Sequence, residues 1–315
     1  MKEEIEIIRG SGFKGPPPRN PVEHPDTLQS TQFARVLDVI SEGEIDGIEG
    51  GADGILLDST PLSSFSGFTF ETRTGSQTQS YISGVTGIEA SVGVNTAVTV
   101  AGGPITRTIT SSTTDRVRIT IEIPTLQIIT DEGDIVGHSV RFSIAVQNNG
   151  GGFNTVRTQT IRGKTSNAYS KSITIGVSGP FPVDIKITRL SADETSAKRQ
   201  NTINWVSFTT IIDEKLRYPN SALSFIELDA RNFSNIPARK YLIRGIKVQI
   251  PHNATVDTSG AGFNSTYIGR ITYSGLFNGT LGAATWTNDP AWILYDLLRN
   301  DRYGCGIDAA HLDVF

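Results

Sequence analysis

Val117-Arg118-Ile119-Thr120-Ile121-Glu122 alternates apolar and polar side chains without a break. Successive side chains of a β-strand point to opposite faces, so this run predicts a strand with one face buried and the other wet. Val140, Phe142, Ile144 and Val146 repeat the pattern with polar or small residues between them. Asn148-Asn149-Gly150-Gly151 follows, and these residues tolerate positive φ, so a hairpin is predicted into residues 155–161. Working outward, strands are predicted at 33–40, at Ile55-Leu56-Leu57 ahead of Pro61, and at 173–177, 183–187, 203–212, 222–228 and 242–250. That spacing predicts antiparallel sheets in a sandwich or barrel, a single large sandwich being the plainer alternative. Residues 63–103 are rich in Ser, Thr and Gly with weak periodicity, and are expected to be loops around short strands.

One helix is predicted. Asn288 or Asp289 can cap it, Pro290 suits its first turn, and Ala291, Leu294, Tyr295 and Leu298 fall at i, i+3, i+4 and i+7 as a candidate core stripe. Gly304 and Gly306 end that element, and a second helix is expected to start after Asp308. It reaches Phe315 without a stop signal, so the sequence is expected to be the front part of a longer polypeptide. At the other end, Gly10, Gly12, Gly15, Pro16-Pro17-Pro18, Pro21 and Pro25 interrupt any regular element, and residues 1–27 read as an extended arm. Ile5, Ile7 and Ile8 suit addition to a neighbouring sheet edge, and Phe13 can anchor beyond them; ordering such an arm calls for a partner surface.

Composition narrows the function classes. A chain of 315 residues is long for one core. With 28 basic and 32 acidic residues the net charge is −4, which gives no electrostatic reason for nucleic-acid binding. Cys305 is the one cysteine and cannot form an intramolecular disulfide, while His24, His138, His252 and His311 stand at no metal-ligand spacing. No cofactor or metal is expected. The acidic N-terminus lacks signal-peptide character and no run reaches the roughly 18 apolar residues of a membrane span, so first folding in a cytoplasm is expected. No nucleophile elbow, phosphate loop or His-Glu helix motif is present, so no catalytic residue is assigned and a non-enzyme is expected. Trp205, Trp286 and Trp292 fall in apolar patterns that favour core over a binding platform.

Charge is segregated. Residues 36–62 hold Asp38, Glu42, Glu44, Asp46, Glu49, Asp53 and Asp58 with no Lys or Arg, whereas 135–183 hold Arg141, Arg157, Arg162, Lys164 and Lys171 with no carboxylate. Such stretches are either two solvated faces or two complementary contact surfaces.

A set of collinear segments carries a family resemblance. Ser30-Thr31-Gln32, Val39-Ile40-Ser41-Glu42-Gly43 with Ile45 and Gly47, Leu56-Leu57-Asp58-Ser59-Thr60-Pro61, Pro104 through Thr110, Asp115-Arg116 and Ile161-Arg162-Gly163-Lys164-Thr165 come first. Tyr218 through Leu223, Leu242-Ile243-Arg244-Gly245, Ala291-Trp292 with Asp296-Leu297-Leu298, and Arg302-Tyr303-Gly304 follow. Together, from about Leu28 to Phe315, they resemble the tip attachment protein J family (host specificity proteins) of lambda-like siphophages. Residues 1–27 and 63–103 match poorly.

The resemblance implies a structural virion protein, the homotrimeric central hub of a non-contractile tail tip. That hub joins the tail tube to the host-recognition apparatus. Expected partners are other tail-tip and distal-tail proteins, the tape measure protein, and a host receptor reached through a C-terminal part outside these residues. The genome passes through its channel without specific binding, and Glu42, Glu44, Asp46 and Glu49 are expected to face that channel. Assembly is expected in the bacterial host cytoplasm. The implied fold is mainly β: a hub β-barrel with inserted β-sandwich-like domains and one short C-terminal helical segment. The expected boundaries are an arm over 1–27, the first hub strands over 28–62, and inserted β domains and hub strands over 63–230. Hub strands and loops over 231–287 and the helical segment over 288–315 complete the chain. The rival readings are a β-sandwich carbohydrate-binding or carbohydrate-degrading module, which in its degrading form needs paired carboxylates in a cleft, and a stand-alone adhesion module.

Overall fold

The computed structural model describes residues 19–258 and 268–312. Ile5, Ile7, Ile8 and Phe13, on which the expected arm contacts rest, lie outside the described residues. Strands account for 48% of the described residues and helical turns for 8%, so the mainly-β reading holds. The chain divides into two compact units: one comprises the segment up to Ser30 with 91–113 and 117–209, the other 31–90, 114–116 and 210–315.

The first unit is a β-sandwich. One four-stranded sheet has the order Asn154–Gly163, His138–Asn148, Val183–Arg189, Ile105–Ile109, and the other Tyr169–Gly176, Arg116–Ile123, Asn204–Asp213, Thr86–Ala97. The sequence alternation becomes burial directly: Val117, Ile119, Ile121 and Ile123 are fully buried, while Arg116, Arg118, Thr120 and Glu122 between them are half-buried. They meet Phe142, Ile144, Ile185, Ile187 and Trp205 in one apolar cluster. Each fully buried aliphatic or aromatic side chain there contributes about 1.5–3 kcal/mol. The hairpin turn lies at Asn149 and Gly150, both at positive φ, and brings Val146 opposite Asn154.

Thr86–Ala97 is a difference from expectation. Within a stretch expected to be loops around short strands, the chain forms a short strand at Phe68–Arg73, as that reading allows, and a 12-residue strand, which it does not foresee. Nearly every side chain of Thr86–Ala97 is exposed on both faces, Val94 alone being buried, so no apolar period exists to be read.

In the second unit, Phe33–Glu42, Ser221–Asp229 and Phe68–Arg73 form a three-stranded antiparallel sheet. Ile226 and Leu228 from its central strand pack with Ile55, Leu57 and Leu62. The stretch expected as one strand over 242–250 is broken into Ile243–Ile246 and Val248–Pro251, which pair respectively with Ile45–Ile48 and Leu281–Thr285, and Arg239–Tyr241 just before it pairs with Ile55–Leu57. Among the described residues no sheet of this unit closes into a barrel; its sheets have two or three strands each. Gly43, at φ +99°, turns the chain out of Phe33–Glu42 before the short strand Ile45–Ile48 begins.

The helix is Pro290–Arg299. Asp289 caps it, its carboxylate accepting from the Ala291 amide at 3.0 Å, with Pro290 in the first turn. Trp292 is buried with Val248, Ile250 and Ile271, and Tyr295 packs against that cluster. The expected core stripe is corrected in part. Ala291 and Leu294 face solvent, Leu294 being 54% exposed, because the large ring of Trp292 on the adjacent face takes the interior position. After Asp308 the chain makes one short 3-10 turn, Ala309–His311, in place of a second helix up to Leu312.

Candidate interaction surfaces

The described end of the arm, from Arg19 onward, is held on the sandwich unit. Asp134 accepts from the Val22 amide at 2.8 Å and pairs with Arg19, while the His24 amide donates to the Ile135 carbonyl and the Ile135 amide to Val22. Thr27 and Leu28 amides both donate to the Lys164 carbonyl. Gly163 sits at φ +150°, and a Cβ there would lie 2.6 Å from the Thr27 hydroxyl, so glycine is what lets the segment lie down.

Lys164 completes the clasp. Its side chain is 3% exposed, with Nζ 2.7 Å from Glu23 and 2.8 Å from Asp26. Asp26 also accepts from the amide and hydroxyl of Ser166. The Lys164 ammonium and the Ser166 donors pull the Asp26 carboxyl down to about 2, and the two carboxylates push the Lys164 ammonium above its ordinary value. This basic residue of the 135–183 stretch is therefore neither solvated nor offered to a partner. The clasp was not legible, because its members stand far apart in sequence. Arg141, Arg157 and Arg162 remain exposed.

The acidic stretch is paired within the second unit. Glu42 pairs with Arg302, and Glu44 lies 3.0 Å from the Lys247 ammonium. Asp46 and Glu49 share one guanidinium, that of Arg244, at 3.8 and 3.9 Å, and Arg244 also lies over the half-buried Trp286 ring, 5.3 Å from its centroid. Asp38 takes Arg239 at 2.5 Å and the hydroxyl of Tyr241. Arg239 holds the Asp38 carboxyl below its ordinary value, and burial pushes the Tyr241 phenol up to about 12. The four expected channel-facing residues thus each stand beside a base, a compensation supplied from 239–302 that no local pattern announces. Asp46, Glu49 and Arg244 line one open depression together.

Exposed apolar side chains are spread over the second unit, Val39 and Ile236 among them. Ile293, Leu294 and Leu297 lie on the outer side of the helix, 44–54% exposed, and Leu276 stands 94% exposed in the turn after Tyr273. Among the described residues no group of three or more His, Cys, Asp or Glu side chains is arranged to hold a metal ion, and no helix is long and apolar enough to cross a membrane. Cys305 is free and exposed.

Comparison with known proteins fits this geometry. Tip attachment protein J of Escherichia phage SECphi4 is 35% identical over 313 residues, which is 95% of this chain and 26% of that protein. The corresponding protein of Escherichia phage SECphi27 is 33% identical over 306 residues, 95% of this chain and 24% of that protein. The chain spans about a quarter of the length of the curated relatives it matches. Among solved structures, a GH115 4-O-methyl-alpha-glucuronidase is matched over 40% of this chain and 14% of its own, at 12% identity and a TM-score of 0.23, which says nothing of activity here. The FNIII-A domain of tip attachment protein J matches residues 88–214, the stretch from Thr86–Ala97 to Asn204–Asp213 that builds the sandwich sheets. With that domain matched and the similarity running along nearly the whole sequence, the chain is similar to about a quarter of tip attachment protein J.

Proposed function

We propose that this chain is a structural part of a phage tail tip: a homotrimeric central hub that joins the tail tube to the host-recognition apparatus, without enzymatic activity. The observation that carries this reading is the similarity to tip attachment proteins over 95% of the chain, which takes in both units and not the sandwich alone. Other tail-tip and distal-tail proteins and the tape measure protein are its partners, the host receptor is met by a part outside these 315 residues, and the protein is assembled in the host cytoplasm and resides in the virion.

In this reading the genome channel takes its lining from Glu42, Glu44, Asp46 and Glu49. Because each has a base beside it, the lining is a hydrated and nearly neutral surface, which avoids phosphate binding by offering no uncompensated cation rather than by repulsion. Quantitative mass spectrometry of purified virions tests the reading: three copies per particle are expected, and one or six copies, or absence from the tail, would overturn it.

A further inference from the structure

The outward face of one sandwich sheet carries two cations that no described residue neutralises. Residues directly opposite in an antiparallel pair share a face, and the register sets Ser139 against Arg162, Arg141 against Thr160 and Ser143 against Thr158. Val140, Phe142 and Ile161, which alternate with them, are buried in the core, so these three pairs stand on the solvent side. Arg141 and Arg162 are therefore diagonal neighbours, about 7–8 Å apart at the backbone and within reach of each other's long side chains. Like charges so placed repel. Arg157, opposite the buried Ile144, belongs to the other side of the sheet, and Lys186 on the outward face has Asp184 two residues before it on the same side. Other arginines of this unit are compensated: Arg107 lies over the Trp205 ring, and Arg189 and Arg199 lie against Asp193 and Glu194. Among the described residues, Arg141 and Arg162 have neither a carboxylate nor a ring beside them, and the Ser139, Ser143, Thr158 and Thr160 hydroxyls have no hydrogen-bond partner.

We propose that Arg141 and Arg162 form a phosphate site, and that its ligand is a phosphorylated saccharide. Each guanidinium offers a planar fork of donors to phosphate oxygens, at N–H···O distances of about 2.7–2.9 Å, and the diagonal spacing leaves room for one phosphate between the two forks. The anion turns a repulsive pair into a bridged one. A carboxylate from a second copy suits the site less, because Glu42, Glu44, Asp46 and Glu49 each already stand beside a base. The carrier follows from the surrounding surface. Four hydroxyls, each both donor and acceptor, flank the two arginines and complement the hydroxyls of a sugar. A protein partner calls for aromatic or aliphatic anchors, nucleic acid for stacking rings and a longer run of cations, and a lipid surface for an apolar face to bury. The three pairs offer none of these, and Leu190 beside Arg141 is a single apolar neighbour. The site does not depend on how many copies of the chain assemble.

The test follows the side-chain Nε–H signals of Arg141 and Arg162 by NMR in the 315-residue chain while glucose, inorganic phosphate and glucose-6-phosphate are added in separate titrations. Glucose-6-phosphate is expected to shift both signals along one binding curve and to bind more tightly than inorganic phosphate, while glucose alone leaves both in place. Arg141→Gln and Arg162→Gln should each weaken binding about tenfold or more, since each removes charge-assisted hydrogen bonds. Both arginines are exposed, so the circular dichroism of either variant is unchanged. Equal affinity for inorganic phosphate and glucose-6-phosphate overturns the saccharide as carrier. Retention on phosphatidylglycerol vesicles or on a DNA duplex that is lost in Arg141→Gln, with no response to glucose-6-phosphate, overturns it in favour of that polyanion. Signals that move with no probe overturn the site and leave the arginines as solvated charges beside the edge strand Asn154–Gly163. None of these outcomes bears on the number of copies per virion, so the hub reading stands or falls separately.

Discussion

Lys164 holds Asp26 at 2.8 Å and Glu23 at 2.7 Å, partners 138 and 141 residues earlier in the chain. The pairing fixes where the arm meets the sandwich, and it is pH-dependent. The Asp26 carboxyl is lowered in the folded state to about 2 from 3.8, so its contribution is fully present above pH 3.8 and is lost as the pH falls through 2. Hydrogen exchange at the Thr27 and Leu28 amides is expected to accelerate over that window while the core strand Arg116–Ile123 stays protected. Lys164→Ala should give fast exchange at both amides at neutral pH; unchanged protection would show that the clasp does not hold the arm.

Arg189 is a second buried cation, 5% exposed, and its guanidinium donates to the carbonyls of Ser191, Ala192 and Asn201 and to the Asn201 side chain. Arg189→Met removes the donors and strands those acceptors, which is expected to cost about 3–5 kcal/mol in urea unfolding of the sandwich. Arg189→Lys should recover little, because an ammonium cannot reach four acceptors with one planar fork.

Asp289→Ala takes the cap from the helix Pro290–Arg299. A loss of about 1 kcal/mol is expected from denaturant midpoints followed by Trp292 fluorescence, since one exposed-end acceptor is removed and the packing of Trp292 is untouched. Leu294→Gln, on the outward face of the same helix, should shift the midpoint by no more than about 0.5 kcal/mol.

Tyr241 is expected to ionise late. Burial and the hydrogen bond to Asp38 raise its phenol to about 12 from 10.0, and burial beside Asp296 raises Tyr303 as well. An ultraviolet titration should therefore show a tyrosinate component that lags the rest of the eight tyrosines. That component shrinks in Tyr241→Phe; an identical titration curve in the variant would contradict the assignment.

The legibility of this chain follows burial. Val117 to Ile123 and Val140 to Val146 were readable because one face of each strand is dry, so period two is imposed by the core. Thr86–Ala97 was not, since a strand exposed on both faces is under no such constraint. Residues 242–250 read as one strand because apolar alternation says that a residue pairs but not with what, and here the partner changes between Ile246 and Val248. The helix boundaries were legible from Asp289 and Pro290, but its inward face was not, because Pro290–Arg299 is apolar on both sides and only packing against Val248 and Ile250 selects Trp292. The neutralisation of Glu44 by Lys247 spans 203 residues and leaves no trace in either neighbourhood.

Thr86–Ala97 and Asn204–Asp213, the strands by which the chain enters and leaves the sandwich, are hydrogen-bonded neighbours in one sheet. Seen from the residues before 86 and after 213, everything between is equivalent to the turn of a hairpin. Such a domain can be exchanged, enlarged or removed by recombination without altering the separation of its two attachment points, and the loop-closure entropy of the host fold changes little. A two-residue turn would bridge the same two attachment points.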